Sequence, residues 1–190
     1  MRKLVISEFV TLDGVMQDPG GAEKDEFDRG GWAFQFQRGE VGDKYKFDEL
    51  MAADVLLLGR KTYEGFAKAW PNYKDDVGFA EKMNTMPKYV VSSTMQSGDW
   101  GPTTIIKDDV PGAVKALKQE SGGDILVGGS AQLTATLIEH DLVDEYRLMI
   151  HPVVLGTGTR LFRDTGKAAK LAIVEATQAE EVAILTLRSS

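Results

Sequence analysis

Ile125-Leu126-Val127-Gly128-Gly129-Ser130 is the stretch that decides how this chain is read. An apolar run of buried-strand length ends on two glycines and a hydroxyl, and a helix-like stretch, Ala131–Glu139, follows at once. The same order stands earlier, where Val55-Leu56-Leu57-Leu58 runs into Gly59-Arg60-Lys61-Thr62. The chain therefore twice makes a strand, a small or basic turn, and a helix. A helix start carries unpaired N–H groups and roughly half a positive charge, and glycine lets an anion approach the backbone closely. Two such turns predict a seat for a ligand carrying a pyrophosphate.

Outward from these turns, short strands alternate with helices. Leu4 to Val10 reads as a buried strand stopped by Asp13-Gly14, and a polar, glycine-rich stretch from Gln17 to Gly42 holds Trp32, Phe34 and Phe36. Phe47, Leu50 and Met51 recur at helical spacing, as do Tyr63, Phe66, Ala67 and Trp70 before Pro71. Phe79, Met83 and Met86 predict a short helix before Pro87, and strands follow at Tyr89–Val91 and Thr103–Ile106. Val110, Val114 and Leu117 mark a helix capped by Asp108 or Asp109. This alternation predicts an α/β fold with a mainly parallel sheet covered on both faces. The last part changes character: Tyr146–Ile150, Leu171–Val174 and Val182–Leu187 lack intervening helices and predict antiparallel strands added at a sheet edge. One domain over residues 1–190 is expected.

The composition removes several function classes. Among 190 residues there is no cysteine, so neither disulfides nor thiolate metal sites exist, and with only His140 and His151 no metal site is expected. A net charge of -7 disfavours a nucleic-acid or anionic-membrane surface. The N-terminus turns polar at Ser7-Glu8 before a signal-length apolar stretch develops, and no membrane span is present, which leads to a cytoplasmic expectation.

Several residues are candidates for chemistry, each with a plainer role beside it. Arg60, Lys61 and Thr62 bring two cations and a hydroxyl to one helix start, or are solvated cations and a cap. Ser92-Ser93-Thr94 follows a strand of the same parallel set and aims hydroxyls at the same rim, or forms an ordinary polar loop. Gly128-Gly129-Ser130 lacks the full G-x-G-x-x-G fingerprint, which argues against a standard Rossmann domain but not against a nucleotide. Asp13 is a substrate hydrogen-bond acceptor or part of a turn, and Asp43 precedes a helix as an N-cap residue would. Trp32, Phe34 and Phe36 stack on a planar substrate or pack in the core, and His151 reads as structural.

These pieces resemble the dihydrofolate reductase superfamily, in the branch similar to the C-terminal reductase domain of bacterial riboflavin biosynthesis proteins. The resemblance is carried in order by Ser7–Met16, Asp54–Tyr63, Pro87–Ser93, Ile125–Leu133 and Leu142–Phe162 with His151-Pro152-Val153-Val154-Leu155-Gly156. It implies a three-layer fold with a central mixed sheet, an extended NADPH cofactor, and a homodimer joined through the C-terminal strands, for which Tyr146–Ile150 offers an apolar edge. By carry-over, Gly59, Arg60, Lys61 and Thr62 with Gly128, Gly129, Ser130, Ala131, Gln132 and Leu133 hold the pyrophosphate. Ser92, Ser93 and Thr94 hold the adenosine 2′-phosphate end, and Val10 to Met16 border the nicotinamide. The resemblance implies a substrate such as 5-amino-6-(5-phosphoribosylamino)uracil, with Arg160 and Arg163 as candidates for its phosphate. Riboflavin-pathway reductases carry a Glu-Gly-Gly turn, however, and here Val127 takes the acidic position as in folate reductases, so a pterin is the second substrate. Folate reductases also place one carboxylate on the first helix; Asp43, sixteen residues before Gly59 with Phe47 one turn on, has a similar spacing. A non-catalytic nucleotide-binding protein keeping the fold is the competing class.

Overall fold

The apolar runs become strands of one mixed sheet. The computed structural model describes residues 1–22, 26–163 and 168–189. In chain order the elements are β1 (Leu4–Thr11), α1 (Gly39–Ala52), β2 (Ala53–Gly59), α2 (Arg60–Ala69), α3 (Phe79–Thr85), β3 (Lys88–Val91), β4 (Thr103–Ile106), α4 (Val110–Gln119), β5 (Asp124–Val127), α5 (Ala131–Glu139), β6 (Glu145–His151), β7 (Leu171–Ala179) and β8 (Val182–Ser189). The sheet runs β4-β3-β2-β5-β1-β6-β8-β7. Its first six positions pair in parallel, and β8 and β7 are antiparallel.

Two cores sandwich the parallel part, because strands buried on both faces send alternate side chains to opposite layers. Leu4, Ile6 and Val10 of β1 join Leu57, Ile125 and Val127 beneath Val114 and Leu117 of α4 and Leu133 and Leu137 of α5. On the other face Val5, Leu56, Leu58 and Leu126 pack against Leu50 of α1, Tyr63 of α2 and Met83 of α3. Asp109 accepts the Gly112 N–H and caps α4, one of the two expected capping residues.

The C-terminal part differs from expectation in one respect. Tyr146–Ile150 is no edge: β6 is the parallel partner of β1 and lies between it and β8, so its backbone is paired on both sides. The edge on this side of the sheet is β7, whose Ile173 and Val174 are exposed. α1 is also longer than its apolar spacing foretold, since its inward face carries Gly42, Tyr45, Lys46 and Glu49 along with Leu50. No helix among the described residues is long and apolar enough to cross a membrane.

Candidate functional site

The carboxyl ends of the parallel strands are staggered, and the step makes a cleft. β5 ends at Val127, opposite Ile6 of β1 and Leu57 of β2, while β1 continues to Thr11 and β2 to Gly59. Gly128 and Gly129 thus form a floor between two longer strands. The helix leaving β5 packs on one face of the sheet, and those leaving β1 and β2 pack on the other. This is a topological switch point, where open α/β sheets leave room for a ligand.

The two turns picked out by their sequence meet there. A Cβ on Gly59 would overlap the Ser130 side chain, and a Cβ on Gly129 would stand 2.8 Å from Thr62 Cγ2 and Oγ1. Gly129 has φ +75°, and Ser130 follows at φ 70° and ψ 90°, where a residue with a Cβ is strained. Neither Gly59 nor Ser130 caps its helix through a side chain, so the starts of α2 and α5 keep their anion-seeking character side by side. Leu133 is buried and anchors α5 to the core, whereas Gln132 is exposed. Arg60 pairs with Glu64 and Lys61 with Glu26 on the exposed rim. A group carrying a pyrophosphate fits these donors.

Val91 pairs with Gly59, so Ser92-Ser93-Thr94 begins on the same rim. Ser92 itself is buried, and its Oγ accepts the Thr94 and Met95 N–H groups at 3.2 and 3.1 Å, which closes the turn. Ser93 and Thr94 are exposed.

Glu8 was not singled out from the sequence, yet it lies against the glycine turn. It shares its face of β1 with Ile6 and Val10, is 7% exposed, and accepts the Gly129 N–H at 2.7 Å. Burial pushes its carboxyl up to about 8, against the opposing pull of the Gly129 N–H and the Lys46 charge. A lone carboxylate in a strand buried on both faces was the available signal.

On the other face of β1, the buried carboxylate of α1 is Glu49 and not Asp43. Asp43 projects outward and pairs with Arg38, while the N-cap position belongs to Arg38; Asp43 is therefore neither cap nor pocket carboxylate. The helix begins five residues earlier than a capping Asp43 requires, which turns residue 43 to solvent. Phe47 is half-buried. Glu49 Oε1 accepts Ser7 Oγ at 2.7 Å and Lys46 Nζ at 2.5 Å, and Lys46 Nζ also donates to Ser7 Oγ at 2.6 Å. Lys46 lies 5.2 Å from the centre of the Phe9 ring.

Asp13 ties two loops together. Its carboxylate accepts the Thr11 hydroxyl and the N–H groups of Leu155 and Gly156, and Arg160 pairs with it at 3.6 Å. The Thr11 hydrogen bond foremost holds its carboxyl below the usual range. Arg160 is engaged there, and Arg163 is exposed. Trp32 is 1% exposed and donates its indole N–H to the Gln17 carbonyl, so it packs as core and does not stack on a ligand; Phe34 beside it is 77% exposed. Phe9, Trp32 and Phe36 surround His151 in T-shaped contacts, and His151 is buried and held below its usual pKa by that burial. Among the described residues no group of three or more histidine or acidic side chains is placed to hold a metal ion.

The model of the family described as the RibD C-terminal domain matches residues 2–185. The uncharacterized protein YyaP of Bacillus subtilis (strain 168) is 33% identical over 176 residues, spanning 91% of this chain and 87% of the relative. A protein of Shewanella sp. PV-4, provisionally named for riboflavin biosynthesis, superposes with a TM-score of 0.77 at 17% identity over 99% of both chains. The diaminohydroxyphosphoribosylaminopyrimidine deaminase/5-amino-6-(5-phosphoribosylamino)uracil reductase of Thermotoga maritima gives 0.64 at 13% identity, covering all of this chain and 57% of that one. Dihydrofolate reductase from Enterococcus faecalis, complexed with NADP(H), gives 0.56 at 13% identity over 99% and 96% of the two chains. At these identities the structural likeness is one of fold, and the fold is that of the dihydrofolate reductases.

Proposed function

The chain belongs to the RibD C-terminal domain family, and from that membership we propose that it is an NADPH-dependent reductase acting on a small polar heterocycle. The observation that carries the reading is the meeting of two uncapped helix starts at the step in the sheet. When bound, NADPH supplies the hydride. Gly59 to Thr62 and Gly128 to Leu133 hold the pyrophosphate through the two helix dipoles and backbone N–H groups other than that of Gly129, which Glu8 engages, with Arg60 and Lys61 screening its charge from the rim. Ser93 and Thr94 serve the adenosine phosphate, while Ser92 keeps their turn closed. The Val10–Met16 segment borders the nicotinamide, and the Asp13 clasp holds it in place.

The first substrate on this reading is 5-amino-6-(5-phosphoribosylamino)uracil. A pterin is the second, favoured by the apolar Val127 in the turn. The protein works in the cytoplasm as a homodimer, for which β7 offers an open edge.

A fluorescence titration of NADPH, followed by its oxidation with each substrate, tests the reading. Binding in the micromolar range, weakened about tenfold or more by Arg60→Ala with Thr62→Ala, supports it. Absence of binding refutes it, and tight binding without turnover on either substrate identifies a non-catalytic nucleotide binder.

A further inference from the structure

Glu8 is a buried acid in contact with the turn that receives the phosphate. The Gly129 N–H that donates to Glu8 Oε1 belongs to the same turn as the start of α5. A phosphate resting on that turn is therefore brought beside the buried Glu8 carboxyl. A carboxylate and a phosphate so placed repel, whereas a neutral acid and a phosphate do not.

We propose that Glu8 gates the glycine-turn phosphate seat, which accepts a nucleotide only while Glu8 is protonated, so that binding carries a proton with it. The inference rests on the reading of the two turns as a nucleotide seat. The other charges around Glu8 are accounted for by element. From α1 come Lys46, which opposes the gate, and Glu49, which reinforces it. Arg147 of β6, opposite Ser7, is engaged by Glu145 and Asp124. Arg60 and Lys61 at the start of α2 pair with Glu64 and Glu26. The first turn of α5, Ala131 to Thr134, contributes no ionisable side chain. Burial of Glu8 keeps it protonated at neutral pH, so the gate is open there and closes in mild alkali.

The test is calorimetry of NADPH binding between about pH 7 and about pH 9.5, above the pKa of about 6 of the cofactor's own 2′-phosphate. Buffers of differing ionisation heat count the protons exchanged. The wild type should lose about tenfold in affinity for each pH unit above about 8, with proton uptake approaching one per nucleotide. Glu8→Gln, which keeps an acceptor for the Gly129 N–H, should bind with a flat profile and no uptake. Lys88 titrates in the same range, but it sits at the amino end of β3, away from the turn, and is common to both proteins. A flat wild-type profile, or the same slope in Glu8→Gln, overturns the gate while leaving the nucleotide site intact. Carbon-13 NMR of glutamate carboxyls in the free wild-type protein decides independently of binding and of the variant's folding. A glutamate titrating near 8 supports the gate, and titration of every glutamate in the ordinary range overturns it. Binding by neither protein at any pH overturns the nucleotide reading and the gate together.

Discussion

Gly59 and Ser130 occupy one another's space: the absent Cβ of the first is where the side chain of the second lies. Two turns from opposite halves of the chain therefore interlock. Gly59→Ala should destabilise the fold by about 1–3 kcal/mol through overpacking. Ser130→Gly removes both the obstruction and a side chain held at positive φ, so the double variant should recover most of the loss. Urea denaturation of the four proteins measures the coupling, and additive effects would show that the turns do not touch.

On α1, Glu49 and Asp43 should respond in opposite ways. Glu49→Ala strands Lys46 and Ser7 beneath the helix and should cost about 3 kcal/mol or more. Asp43→Ala removes an exposed pair with Arg38 and should change stability by no more than about 0.5 kcal/mol. Equal effects in thermal or urea unfolding would contradict this placement.

The aromatic segment gives a third contrast. Trp32→Ala should cost about 3–5 kcal/mol, since the indole is enclosed and hydrogen-bonded. Phe34→Ala, two residues on and exposed, should be close to neutral. Near-equal melting temperatures for the two variants would place Trp32 at the surface.

Two groups should bend the pH dependence of stability in opposite directions. His151 has a lowered pKa in the fold, so its contribution is complete above its ordinary 6.5 and is lost as pH falls through the lowered value. His151→Phe should flatten that acid limb. Glu8 has a raised pKa, so its contribution is complete below 4.5 and is lost as pH rises through about 8. Glu8→Gln should flatten that alkaline limb. Urea midpoints measured across the range check both signs.

What was legible in the sequence was what periodicity and turn chemistry encode. Apolar runs of strand length marked β2, β3, β4 and β5, and the glycine turns after β2 and β5 proved to face each other. The first helix was only half visible because its buried face is polar, with Lys46 and Glu49 bonded to Ser7 where an apolar stripe would ordinarily stand. Spacing from Gly59 therefore drew attention to Asp43, an exposed residue on the wrong side of that helix. Glu8 was overlooked because the surrounding run reads as an ordinary buried strand, and only the register against β5 brings it to Gly129. The nine residues of β7 were read as a short strand because a bulge between Ile173 and Glu175 breaks their alternation.

The shortness of β5 also bears on how the molecule comes together. β1 and β2 do not pair with each other, and the four residues of β5, arriving more than a hundred positions after the N-terminus, join them. Until that late segment is threaded between two strands made long before it, the step in the sheet has no floor. Such distant pairings are the slow ones to form. The Gly129 amide should therefore gain protection from hydrogen exchange only with the final closure of the sheet, making it a clock for the completion of folding.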